Sequence, residues 1–163
     1  MTYRIVALFL FSLMLLVAGC SMFQTDTQKQ SLTIPSAYNS LPDTFSEGEN
    51  GLSLRSDQEA YKLPLEELAV IIANTGSNSI TLGEQRMLEK FREGVWYKVP
   101  YRDEFAFTDI GLGLGAEEKL EQKIPLEYLD YRLTPGTYRI VKTFYINEGA
   151  EEIVLAAEFE INK

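Results

Sequence analysis

The sequence has no histidine, one cysteine (Cys20) and one tryptophan (Trp96) among its 163 residues. Without histidine, neither a Ser-His-Asp nor a Cys-His arrangement can be assembled, and most zinc sites lose their commonest nitrogen ligand. A lone cysteine permits no intramolecular disulfide, so the fold must be held by its core. Basic residues are also scarce, 15 against 24 acidic, for a net charge of −9. A surface of that sign repels nucleic acid and anionic headgroups. No basic patch with interleaved aromatics offsets it, so nucleic acid is not expected as a partner. The apolar run from Ile5 to Val17, broken only by Ser12, is about 13 residues. A membrane-spanning helix needs roughly 20.

That run matches the hydrophobic part of a secretion signal. It follows one positive charge, Arg4, and leads into Val17-Ala18-Gly19-Cys20. This tetrapeptide resembles the lipobox of bacterial lipoprotein signal peptides. The resemblance implies cleavage between Gly19 and Cys20, and a diacylglyceryl thioether and an N-acyl (palmitate-type) chain on Cys20. The membrane is then the first expected partner, and the cell membrane's extracytoplasmic face the expected location. Two or more acyl chains hold a protein durably, whereas one gives marginal binding. Loss of residues 1–19 leaves 144 residues with 14 basic and 24 acidic side chains, a net −10. That length suits one domain and a tail.

Residues 20–50 read as a tether. The stretch after Cys20 is polar, Pro35 and Pro42 interrupt the segment beyond it, and no period persists. Residues 51–163 read as the domain. Leu52 and Leu54 alternate with Ser53 and Arg55. Leu68 to Ala73 is a short apolar run before the turn cluster Asn74–Ser79, which predicts a central strand. Ile80–Leu82 starts another. Met87–Phe91 and Val95–Val99 flank Gly94 as a hairpin. Ile110–Gly115 reads as a flexible apolar loop and Lys119–Ile124 as a polar edge strand stopped by Pro125. Tyr138–Ile146 and Ile153–Ile161 close the domain, with Phe159 and Ile161 opposite Glu158 and Glu160. Seven to eight short strands without a convincing helix predict an all-β, antiparallel β-sandwich.

Trp96-Tyr97-Lys98-Val99-Pro100, Phe107-Thr108-Asp109-Ile110-Gly111 and Leu133-Thr134-Pro135-Gly136-Thr137-Tyr138-Arg139 occur in that order. Within residues 65–146, this combination resembles a bacterial immunoglobulin-like domain of the type found in extracellular proteins and lipoproteins of Gram-positive bacteria. The resemblance implies an Ig-like sandwich and carries over no catalytic residue. The cysteine pair of antibody-type domains is missing. Tyr138 stands where Ig sandwiches often place a tyrosine corner, with an ordinary core tyrosine as the alternative.

No catalytic residue, metal site or cofactor is assigned. The acidic pairs Glu66-Glu67, Glu117-Glu118 and Glu151-Glu152 place neighbours on opposite faces of a strand, so none forms a hydrolytic dyad. Asp57, Glu59, Asp103, Glu104 and Asp109 are oxygen donors without calcium-loop spacing. Exposed aromatics make good binding anchors, and Trp96, Tyr101 and Phe105 form the candidate binding surface. Alternation places Tyr97 in the core and leaves Trp96 half exposed. The expected role is a non-catalytic binding or scaffolding module at the cell envelope, presented to an envelope protein or a wall polymer. An accessory or surface-exclusion lipoprotein acting against phage or mobile elements is the alternative. A histidine-free envelope hydrolase is the remaining reading.

Overall fold

The computed structural model describes residues 32–146 and 149–163. The signal peptide expected at 1–19, the lipobox with Gly19 and Cys20, and tether residues 20–31 lie outside the described residues, as do Asn147 and Glu148.

Eleven strands among the described residues form two facing sheets. The four-stranded sheet runs β1 (Thr44–Glu47), β2 (Asn50–Ser56), β4 (Glu67–Asn74), β9 (Lys119–Pro125). The seven-stranded sheet runs β3 (Ala60–Lys62), β11 (Glu151–Asn162), β10 (Gly136–Ile146), β5 (Ile80–Leu82), β8 (Leu112–Leu114). In it β10 also pairs with β6 (Met87–Arg92), which pairs with β7 (Val95–Lys98). Only the β3–β11 pair is parallel.

Alternation explains the layering. Leu68, Val70 and Ile72 of β4 point inward, and Leu52 and Leu54 join them from β2. They meet Tyr138, Ile140, Phe144 and Ile146 of β10 and Leu155, Phe159 and Ile161 of β11, all buried. Glu158 and Glu160 face outward. The predicted antiparallel sandwich is therefore present, and β4 is central as its composition implied. The edge strand β9 exposes Lys119, Glu121 and Lys123, charges that discourage another chain from adding to that edge.

Eight of the strands coincide with the expected ones; β1, β3 and β8 are additional and have three or four residues each. The apolar segment around Gly113, expected as a flexible loop, instead pairs along β5 as β8. The tether expected to reach residue 50 ends earlier. Leu32 is in the core, and residues 34–36 lengthen the sheet beyond β7 through Ser36 N–H to Trp96 O and Lys98 N–H to Ile34 O, both 2.8 Å. The chain then crosses the outer face of that sheet. Tyr38 O accepts from Arg139 on β10, and Pro42 O accepts from Ala156 N–H on β11. The sandwich thus includes a strap of residues 32–43 that lies before the sequence-based boundary at Gly51.

Tyr138 makes the corner bond: its phenol donates to Thr134 O at 2.7 Å and accepts from Thr134 N–H at 3.2 Å. This pins the Pro135-Gly136 turn to the start of β10.

Candidate functional site

Two clefts stand out among the described residues. The larger, about 1270 Å³, lies among Leu63, Glu66, Leu126, Tyr131, Arg132 and Lys163. None of its lining side chains holds a buried polar atom without a partner. The smaller, about 680 Å³, lies beside β6 and beneath the segment after β7. Two of its lining residues, Arg86 and Tyr101, do hold such atoms. Buried polar groups are nearly always paired, so this cleft is the candidate site.

Arg86 sits in the link between β5 and β6, two carbonyls of which accept from Lys142 on β10. The Lys142 side chain is buried and its ammonium donates to Gly83 O (3.0 Å) and Gln85 O (3.2 Å), fixing the link's course. Burial, then repulsion from Arg86, lowers the Lys142 pKa to about 8, with Glu84 opposing. Arg86 is 7% exposed. Its Nη1 donates to Glu84 O at 3.0 Å, its guanidinium lies 5.0 Å from the Phe107 ring centroid, and its Nε has no partner. The Glu84 carboxylate accepts from Thr108 Oγ1 at 2.7 Å and from Thr108 N–H at 3.4 Å, within electrostatic reach of Arg86. Those bonds hold its pKa below the usual value.

Tyr101 enters from the other side. Its Oη is buried without a hydrogen-bond partner of good geometry, although the Arg86 guanidinium is close enough to pull its pKa down. Burial outweighs that pull and holds the phenol above its ordinary value. The remaining walls are apolar, among them Met87, Val99, Phe107 and Val141.

The structure brings together two of the three residues expected as a binding surface. Tyr101 and Phe105 stack with centroids 5.1 Å apart and planes 20° apart. Phe105 also stacks on Tyr128 at 4.6 Å, and Phe107 meets both Tyr101 and Phe105 edge-on. Trp96 is elsewhere and is 7% exposed, not half exposed. Its outward orientation agrees with alternation, but the strap covers that face. Arg139 lies 4.2 Å from its ring centroid, and Phe91 packs at 5.0 Å. Tyr97 faces inward and packs, partly buried, against the core.

The acidic pairs are dispersed. Glu67 bridges to Lys123 at 3.0 Å across exposed strands, and Glu118 accepts from Gly115 N–H at 2.7 Å. Sequence reasoning named Tyr101 but missed Arg86. In the string Gly83-Glu84-Gln85-Arg86, an arginine after polar residues reads as solvated, and its burial beside Phe107 comes from a segment distant in sequence.

A family model described as a bacterial Ig-like domain matches residues 48–160. No curated protein matches the chain. Similar solved structures include an alkylpurine DNA glycosylase of Pseudomonas fluorescens bound to DNA with an abasic site analogue. It has 12% identity, covers 69% of this chain and 30% of its own, and has a TM-score of 0.36. A PapD-like domain of human CEP192 has 12% identity, covers 78% of this chain and 95% of its own, and has a TM-score of 0.39. A β-glucosidase of Listeria innocua has 15% identity, covers 73% of this chain and 17% of its own, and has a TM-score of 0.35. The chain thus spans less than a third of the glycosylase and less than a fifth of the glucosidase. With two sheets face to face, antiparallel but for the β3–β11 pair, a tyrosine corner and a family match over most of its length, the chain belongs to the bacterial Ig-like domain family.

Proposed function

We propose that this protein is a lipid-anchored module that binds without catalysis, held on the extracytoplasmic face of the cell membrane by acyl chains on Cys20. The observation that carries the reading is Val17-Ala18-Gly19-Cys20 directly after an apolar run too short to span a bilayer. A thiol is the side chain suited to a stable thioether, and the small residues before it leave the scissile bond accessible. Membership of the Ig-like family supports a display role, because such a sandwich offers a rigid frame on which a site can be mounted. The cleft beside β6 supports binding. Its unpartnered buried groups are both able to donate hydrogen bonds and stand among apolar walls, the composition of a small-ligand site. The partner is an envelope protein or a wall polymer.

Mass spectrometry of the native protein tests the anchor. A mature chain that begins at Cys20 and carries acyl mass is expected, together with loss of membrane association in Cys20→Ala. Retention of Met1, or an unmodified thiol on membrane-bound protein, would refute it. Cross-linking from the anchored protein then identifies the partner, and a failure to enrich any envelope component over the released Cys20→Ala protein counts against the binding role.

A further inference from the structure

We infer that the cleft beside β6 receives a carboxylate carried on an apolar body, held by Arg86 and Tyr101. The inference rests on the reading of this domain as a binding module and names the chemistry of its ligand.

Four cationic side chains are buried in the described structure: Arg86, Lys90, Arg139 and Lys142. Three are accounted for. Arg139 pairs with Glu89 at 2.8 Å. Lys90 donates to the Thr134 and Pro135 carbonyls, both at 3.3 Å. Lys142 donates to the Gly83 and Gln85 carbonyls. Arg86 is left with one carbonyl, one aromatic face and the neighbouring Tyr101 oxygen for a delocalised charge with five N–H donors. It belongs to neither the Glu67–Lys123 nor the Glu89–Arg139 ion pair. The acid nearest in sequence, Glu84, feels the charge of Arg86 but gives its hydrogen bonds to Thr108. A buried guanidinium whose nearest carboxylate spends its hydrogen bonds elsewhere is incompletely satisfied. Tyr101 Oη beside it is a second donor without an acceptor. Both line the same cleft.

The class of ligand follows from charge and wall chemistry. The lining carries Arg86 and Lys98 against Asp109, and the Glu84 carboxylate is bonded to the lining residue Thr108. Without a surplus of positive charge the cleft disfavours a phosphate dianion more than a monoanion. A guanidinium and a phenol together offer the donors that two carboxylate oxygens accept. Met87, Val99, Phe107 and Val141 leave no further polar demand on the rest of the ligand. A free organic acid and the C-terminal carboxylate of a peptide share this chemistry.

Calorimetric titration of the mature protein in lipid nanodiscs, with empty discs as control, tests the inference. The probes are 3-phenylpropionate, its uncharged amide, inorganic phosphate, and the peptide Ala-Ala-Phe with a free or amidated C-terminus. Saturable binding of 3-phenylpropionate is expected, with the amide weaker by about tenfold or more, the effect of losing a charge-assisted hydrogen bond. Arg86→Gln should abolish the preference for acid over amide. Tyr101→Phe should weaken the acid severalfold and leave the amide unchanged, which covers the case in which Arg86→Gln does not fold. Tighter binding of the free-ended peptide than of 3-phenylpropionate assigns a peptide terminus, and the reverse assigns a small acid. Equal binding of acid and amide, or tighter binding of phosphate, overturns the carboxylate while leaving a binding cleft. Absence of binding by every probe overturns the site itself. None of these outcomes changes the acyl mass on Cys20, by which the anchored reading is judged.

Discussion

Arg139 and Glu89 lie directly across from each other on β10 and β6, with both side chains wholly buried. Arg139 Nε and Nη2 both donate to Glu89 Oε2 at 2.8 Å, and Nη2 also reaches Tyr38 O. Glu89 Oε1 and Arg139 Nη1 have no partner, so the pair is incompletely satisfied. Removing one member strands the other charge. Arg139→Ala should destabilise the fold by about 3–5 kcal/mol in urea titrations, whereas Glu89→Leu with Arg139→Met should recover most of that loss. Lys142 provides a second test at this scale. It titrates at about 8 in the fold against 10.5 for the free side chain, so between those values the unfolded chain keeps a proton that the folded chain has released. Stability should therefore rise with pH from about 8 to 10, by on the order of 2 kcal/mol. Above that, Tyr61, Tyr101 and Tyr138 act in the opposite sense. Burial holds their phenols above 10, the unfolded chain ionises first, and stability falls. Urea midpoints measured across pH 7–11 should show this maximum, and Lys142→Met should flatten the rise toward it.

The elements differ in how openly the sequence declares them. Strands β4, β10 and β11 are long and carry their own pattern: a β-branched run that ends at Asn74-Thr75-Gly76, and strict alternation through Phe159 and Ile161. Strands β1, β3 and β8 have three or four residues and exist because a longer neighbour offers an open edge. No local signal encodes that. Trp96 marks the same limit for the site. Its side of the hairpin was legible from alternation, but its burial depends on a strap about 60 residues earlier in the chain. Arg86 was illegible because its cover comes from Phe107, about 20 residues further along the chain. One long-range contact nonetheless leaves a trace in the sequence as a pair of glycines. Gly51 at the start of β2 and Gly76 in the turn after β4 meet backbone to backbone, and a Cβ on Gly76 would lie 2.3 Å from Glu49 O and 2.4 Å from Gly51 N. Gly76→Ala should cost about 1–3 kcal/mol through this overpacking, whereas Gly113→Ala, with open space around it, should cost little. Thermal unfolding of the two variants makes the comparison.

At the scale of the whole molecule, the strap ties the seven-stranded sheet to the chain that precedes it. Residues 34–36 extend the sheet past β7, Tyr38 reaches β10 and Pro42 reaches β11. Trp96, the single tryptophan, lies beneath this crossing and reports on it. Deleting residues 21–38 should shift its emission to the red and lower the unfolding midpoint, because the deletion removes Leu32 from the core and exposes the face that holds Arg139 and Glu89. Emission unchanged from that of the full mature chain would show that the indole is shielded by β6 and β7 alone.

The strap also decides where the protein can be cut without being destroyed. A cut before Leu32 would leave the sandwich with its covering intact and able to persist as a folded body. Cleavage a few residues later, between Ser36 and Pro42, would shed a domain stripped of its lid and prone to unfold. Survival of a cut domain is therefore set by the dozen residues of the strap, and, on the proposed anchoring at Cys20, a lasting released form requires a cut ahead of them.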